Sequence, residues 1–348
     1  MKGCEIMAAG LYFHIPFCRS KCPYCSFYSV KYDEKAAEEY AAQVCDEIKK
    51  YTGSFDTVYF GGGTPSVLKE ELLAEILDAA KEQFDIDKNA EITVECNPSA
   101  VRPDTFEKYA AMGVNRISLG MQSAVDGERF ALGRAAGRRE VAAAVNAAKA
   151  AGITNISLDV MLGIPKQTLQ SLDETFDFIA GMNVTHVSAY MLKIEEGTRF
   201  FDMRERLALP DEDEVCDMYL KTAESLKALG FEQYEISNFA KPGFESRHNL
   251  KYWTLEDYLG IGKTAHSLID GRRFYYDEDF RLVEEGAGAT ESERIMLGLR
   301  LNRGIDKSLV KKDYSQFVRA GLMTETDKKI ALTTRGMLVS NVIIGELL

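Results

Sequence analysis

Apolar residues in the 348-residue chain follow two rhythms that alternate along its first two thirds. Short runs read as strands at Leu11–Ile15, Thr57–Phe60, Glu91–Glu95, Arg116–Leu119, Asn155–Asp159 and His186–Tyr190. Between them the spacing turns helical. Over Asp33–Tyr51, for example, Ala37, Tyr40, Ala41, Val44, Cys45 and Ile48 share one face, which assigns Cys45 to the core. Further helical stretches cover Lys69–Phe84, a segment starting near Pro103, Val141–Ala151, Leu169–Ile179 and Asp213–Leu229. Strand followed by helix, six times over, demands a parallel sheet with helices outside, and right-handed crossovers roll it into a full or partial barrel. The prediction is an α/β fold with a partial (β/α)6 barrel over residues 1–240.

Glu232–Ser237 reads as a further strand, and residues 241–289 as a loop-rich segment that carries Trp253, the only tryptophan. From residue 290 the pattern changes to helices over Glu291–Leu301 and Tyr314–Ala320, a hairpin through Leu332 and a last helix from Arg335. Residues 290–348 are therefore expected to form a small, mainly helical domain of winged-helix shape.

The predicted strands end in residues unusual for packing: His14, Gly61–Gly63, Glu95 with Asn97, Gln122, Asp159 and Tyr190. In β/α barrels the loops after the strand ends form the active face, and isolated carboxylates are rarely buried unpaired. A salt-bridge network is the alternative reading.

A net charge of −12 argues against nonspecific nucleic-acid binding, which needs clustered cations to displace phosphate counterions. The winged-helix pattern is accordingly read as a shape and not as a DNA reader. Seven cysteines, an odd number with three crowded together, do not form a disulfide framework, and a reducing cytoplasm fits them. No stretch approaches the length of a membrane span, and the opening Met1–Glu5 lacks the apolar core of a signal peptide.

The crowded cysteines, Cys18, Cys22 and Cys25, follow the first strand at CxxxCxxC spacing. Turns of two and three residues let three sulfurs grip one metal centre. Structural zinc takes four ligands, usually as two pairs, and the chain has no second CxxC or HxxxH. An iron–sulfur cube usually takes four cysteines, so three would leave one iron open to a ligand the protein does not supply. Zinc and buried free thiols remain the alternatives. Gly61-Gly-Gly-Thr-Pro65 lies between a strand and a helix, where bare backbone can approach a ligand closely. It lacks the nucleotide-phosphate patterns GxGxxG and GxxxxGK.

The cysteine spacing, with Tyr24 before the third cysteine, resembles the signature of the radical S-adenosylmethionine enzymes. The resemblance narrows to their oxygen-independent coproporphyrinogen III oxidase group through Tyr12-x-His14-x-Pro16-Phe17, Gly61-Gly-Gly-Thr-Pro-Ser66, Glu95-x-Asn97-Pro98, Arg116-Ile-Ser-Leu-Gly-x-Gln122-Ser123, Leu132-Gly-Arg134 and Asp159-x-Met-x-Gly163-x-Pro165. It implies that Cys18, Cys22 and Cys25 bind a 4Fe–4S cluster. It also implies that Tyr12, Tyr24, Gly62, Gly63, Thr64, Glu95, Gln122, Arg134 and Asp159 contact S-adenosylmethionine. Those residue types suit a ligand with an amine, a carboxylate and a ribose.

Three departures refine the resemblance. Ser26-Phe27 follows Cys25 where the oxidases carry a further cysteine, and the first predicted strand begins at Leu11, without their N-terminal extension. Ala135-Ala136 stands where a histidine is often found after Leu-Gly-Arg, which puts any role of that histidine in doubt here. The first two point to a heme-chaperone branch, whose hallmark is present as His248-Asn249-Leu-Lys-Tyr252-Trp253. That motif, expected on a rim loop, is associated with heme binding: His248 is the candidate ligand, and Trp253 either covers a porphyrin face or anchors the C-terminal domain by burial. The implied partners are heme, heme-receiving proteins including membrane-associated ones, a low-potential electron donor and a second copy of the chain. The competing reading is an enzyme that decarboxylates coproporphyrinogen III through a 5'-deoxyadenosyl radical.

Overall fold

The computed structural model describes residues 6–348, so Met1–Glu5, including the expected absence of a signal core, lie outside it. Six parallel strands form the barrel wall: β1 (Ile6–Ile15), β2 (Gly53–Gly62), β3 (Asp85–Cys96), β4 (Arg116–Gln122), β5 (Asn155–Leu162) and β6 (His186–Met191). The crossover helices are α1 (Glu34–Ile48), α2 (Glu70–Gln83), α3 (Pro103–Met112), α4 (Arg138–Ala150), α5 (Leu169–Met182) and, after β6, α6 (Glu212–Ala228). All six predicted units are present.

The strands alternate by face. Leu11, Phe13, Val58, Phe60, Ile92, Val94, Ile117, Leu119, Ile156, Leu158 and Val187 join one apolar core with helix residues such as Val44, Leu73, Tyr109, Val145 and Phe176. The residues between them are polar and meet across the concave side: Tyr59 bonds Glu95, Ser118 bonds Asp159, and Ser157 bonds His186. Hydrophobic burial thus fixes the outer layer, while hydrogen bonds satisfy the inner one.

The expectation of a loop-rich 241–289 is corrected. Arg247–Thr254 is a helix, α7, with Ser246 as its N-cap accepting from Asn249 N. After it, β9 (Tyr258–Ile261) pairs in parallel with β1 and adds a seventh parallel strand. Antiparallel β10 (His266–Ile269), β11 (Arg272–Tyr276) and β12 (Leu282–Ala287) continue that side, and β7 (Glu232–Glu235) and β8 (Asn238–Ala240) extend the other. The sheet order is β12-β11-β10-β9-β1-β2-β3-β4-β5-β6-β8-β7, an open, partial barrel.

The C-terminal region holds helix α8 (Glu291–Gly298), the short helices Ser315–Arg319, Thr334–Leu338 and Ser340–Leu347, and a small antiparallel sheet of Ile305–Asp306, Lys329–Leu332 and Met323–Glu325. It is mainly helical, as expected. Among the described residues no helix is long and apolar enough to cross a membrane.

Candidate functional site

The cysteine loop leaves the C-terminal end of β1, beside the glycine turn that ends β2. Gly63 N donates to Ile15 O at 2.8 Å and Thr64 N to Phe17 O at 2.9 Å, which ties the two loops together. Cys18 Sγ lies 3.4 Å from Thr64 Oγ1. Cys25 N donates to Cys22 O at 3.1 Å, closing the turn between the second and third thiols. All three thiols are half-buried. Burial pushes the Cys25 thiol up, and the neighbouring Cys22 and Cys18 push it the same way, as groups facing one space would.

Among the described residues no group of three metal-binding side chains converges as a single ion requires. A cube instead takes each thiolate on a different iron, and three soft sulfur donors on one loop fit it.

Across the recess the other predicted residues gather at the strand ends. Gly62, with φ of 109°, occupies a conformation side chains rarely adopt, and a Cβ there would stand 2.6 Å from the His14 ring. Its N–H donates to Glu95 Oε2 at 3.3 Å, while Tyr59 Oη donates to Glu95 Oε1 at 2.8 Å. Asp159 accepts from Ser118 Oγ at 3.0 Å. Arg134 faces Tyr24, Cys22 and Asp159, and packs with Gln122 over Gly120, where a Cβ would stand 2.7 Å from Arg134 Nη2. Gln122 itself has φ of 70°, a backbone state uncommon for non-glycine residues and enriched at functional sites.

Two carboxyl groups in this recess are held well above their ordinary range. Burial raises Glu95 to about 7, against the pull of the Tyr59 hydrogen bond and with Asp159 adding to the rise. Burial likewise raises Asp159 to about 6, opposed by Ser118 and Arg116. Both carboxylates remain partly exposed, so they line an open recess rather than a sealed core.

His248 does not belong to this end. It is fully buried in α7, which crosses the opposite, N-terminal ends of the strands. Glu91 accepts Arg247 N and His248 N, each at 3.1 Å, so a carboxylate meets the helix N-terminus. Lys251 Nζ reaches Ala8 O and Asp56 Oδ1, both at 2.9 Å, in the first residues of β1 and β2. The His248 ring bonds Thr57 Oγ1 through Nδ1 and Tyr252 Oη through Nε2, each at 2.8 Å. The expected rim loop is thus a helix that closes the barrel floor. Its amphipathic Arg-His-Asn-Leu-Lys-Tyr run finds partners on three strand starts, which sequence spacing could not foresee.

Sequence reasoning also missed Tyr59, hidden in a run read as a buried strand. The signal was the period of two, which places Thr57 and Tyr59 on the concave face that Glu95 shares.

The family model of the radical SAM superfamily matches residues 12–179, a span that begins at Tyr12 and includes all three cysteines and Asp159. The chain is 33% identical to the heme chaperone HemW of Bacillus subtilis, over 97% of this chain and 98% of that one. To HemW of Escherichia coli it is 37% identical, over 75% and 71%. Among solved structures, the Escherichia coli coproporphyrinogen III oxidase HemN, described as a radical SAM enzyme, superposes with a TM-score of 0.84 at 22% identity, over 99% of this chain and 90% of that one. At that identity the likeness speaks for the fold. Identity sustained over nearly the whole of both sequences speaks for more: the chain belongs to the HemW heme-chaperone family, built on the radical SAM scaffold.

Proposed function

We propose that this chain binds heme and passes it to recipient proteins, and that it does so on a core that also holds a 4Fe–4S cluster and S-adenosylmethionine. Family membership over nearly the full length carries the reading. Cys18, Cys22 and Cys25 would hold the cluster. When bound, it supplies one-electron reduction of the S-adenosylmethionine sulfonium, which requires a low-potential electron donor. Gly62 and Glu95 would bind the amine, Asp159 the ribose and Arg134 the carboxylate, with Tyr12, Tyr24, Gly63, Thr64 and Gln122 shaping the recess.

A place for heme is favoured at the same C-terminal end. Phe27 is 69% and Phe130 83% exposed, the first on the cysteine loop and the second after β4. Tyr190 and Met191 at the end of β6 are exposed as well. Exposed apolar and aromatic groups at the C-terminal ends of β1, β4 and β6, on one end of the sheet, suit a flat macrocycle. His248, by contrast, has both ring nitrogens engaged, and ligation through it requires α7 to leave the barrel floor. The cytoplasm is the expected compartment; membrane-associated recipients and a homodimer belong to the same proposal.

An anaerobic assay that follows heme binding and coproporphyrinogen III decarboxylation in one preparation tests the reading. Heme uptake without protoporphyrinogen IX supports it, and robust decarboxylation by the reconstituted protein reverses it in favour of the oxidase.

A further inference from the structure

The concave face carries a residue that the family motifs do not mark. Tyr59 lies between the barrel floor and the ligand recess, and its two ends are held differently. Its ring stacks on the His248 imidazole, with centroids 5.1 Å apart and planes 26° from parallel. Its hydroxyl donates to Glu95 Oε1 at 2.8 Å. The fit is close. A Cβ at residue 61 would stand 2.9 Å from Tyr59 Cε1, 3.1 Å from Tyr12 Cε2 and 3.2 Å from Glu95 Cδ. The first glycine of the triplet therefore serves the convergence of these three side chains, while the second, Gly62, gives its N–H to the other oxygen of Glu95.

We propose that Tyr59 is a positioning residue of the S-adenosylmethionine site: braced on His248 from the floor helix, its hydroxyl and Gly62 N–H fix the Glu95 carboxylate in the orientation and the ionised form that the ligand's amine requires. This rests on the reading of the recess as the S-adenosylmethionine site.

The physical case is one of a carboxylate kept anionic against its surroundings. A donor hydrogen bond stabilises the charged form of a carboxylate, and does so more strongly than a bond between neutral groups. Every element around Glu95 contributes a titratable or charged group: Tyr12 from β1, Tyr59 from β2, Cys96 from β3, Arg116 from β4, Asp159 from β5, Tyr190 from β6 and Tyr252 from α7. Burial dominates and raises Glu95; Asp159 raises it further, and Tyr59, Gly62 N–H and Arg116 lower it. Among these, Tyr59 alone combines a side-chain hydrogen bond to the carboxylate with a mount outside the recess. Deleting its hydroxyl leaves the ring, the stack and the shape in place.

The experiment is S-adenosylmethionine binding by cluster-loaded protein, measured by equilibrium dialysis from pH 5.5 to 9 for wild type, Tyr59→Phe and Glu95→Gln. Wild-type affinity is expected to fall as pH falls through about 7. Glu95→Gln should bind weakly with that limb gone. Tyr59→Phe should keep the limb but displace it upward by about one pH unit, the scale of a lost charge-assisted hydrogen bond, at unchanged cluster content. A Tyr59→Phe profile that superimposes on wild type overturns the inference, as does an equal loss of affinity at every pH, which a merely structural role would give. If cluster-loaded wild type binds no S-adenosylmethionine at any pH, the reading of the recess itself fails, and the inference with it.

Discussion

The guanidinium of Arg300 lies 4.3 Å from the ring centre of Trp253, so the last residue of the His248-Asn-Leu-Lys-Tyr-Trp run faces the C-terminal region. Glu235 of β7, fully buried, stands 3.5 Å from the same guanidinium. Of the two roles open to Trp253, porphyrin cover or anchor of the C-terminal region, this geometry serves the anchor. The motif as a whole then joins two parts: Lys251 and His248 hold the barrel floor, and Trp253 meets the C-terminal region.

Trp253→Ala is expected to lower stability by about 2–3 kcal/mol, from lost aromatic burial and the cation–π contact, without changing iron or sulfide content. Chemical denaturation followed with cluster analysis checks it. Cluster loss at unchanged stability would contradict the anchor role.

His248→Ala should behave in the same way. Burial, with Lys251 and Arg116 adding to it, depresses His248 to about 3. A histidine near 6.5 when unfolded and lower when folded binds its proton first in the unfolded state. It therefore withdraws stability progressively as pH falls from about 6.5 towards 3, and the loss is complete below the folded value. The alanine variant should be less stable at pH 8, from the lost ring and two hydrogen bonds, and lose less further stability on acidification. The absorption bands of bound heme should stay put. Shifted bands with weakened heme affinity at unchanged stability would restore His248 as the iron ligand.

Glu95→Gln should stabilise the cluster-free protein at pH 8 while weakening S-adenosylmethionine binding. Glu95, at about 7 when folded against an ordinary glutamate value of 4.5, costs stability as it ionises. The penalty grows from about pH 4.5, is fully present above about pH 7, and is at most about 3 kcal/mol. Melting temperatures of wild type and variant should converge towards pH 4.5 and separate at pH 8. Parallel curves would contradict a strained carboxylate.

The six barrel units were legible because their outward positions are apolar without interruption, as Leu11, Phe13 and Ile15 are, and helical spacing follows each one. Residues of the candidate site stood out in the sequence where chemistry outweighed packing, as with Cys18, Glu95 and Asp159. What the sequence concealed is nonlocal. Tyr258-Leu-Gly-Ile261 is four residues long and contains a glycine, too short a run to mark a strand by itself, and its pairing with β1 completes it. Thr57 and Glu91 bind His248 across 191 and 157 residues, and no local pattern places a helix at the far end of a barrel from the cysteines.

Replacing any one of Cys18, Cys22 or Cys25 by alanine should abolish the broad visible absorption and the iron and sulfide of the reconstituted protein. Gly62→Ala should leave the cluster but weaken S-adenosylmethionine binding, because its φ of 109° and the His14 ring forbid a side chain without displacing the turn. A single cysteine variant with full iron and sulfide, or an alanine variant at residue 62 with undiminished affinity, would contradict these placements.

Transfer of heme tests the central claim most directly. Anaerobically prepared protein loaded with one equivalent of heme is mixed with an apo heme protein, separated, and the heme on each is quantified spectroscopically. Heme moving to the apo protein faster than from free heme or heme-loaded albumin is the predicted result. Heme that stays bound, or arrives no faster than from albumin, contradicts a chaperone.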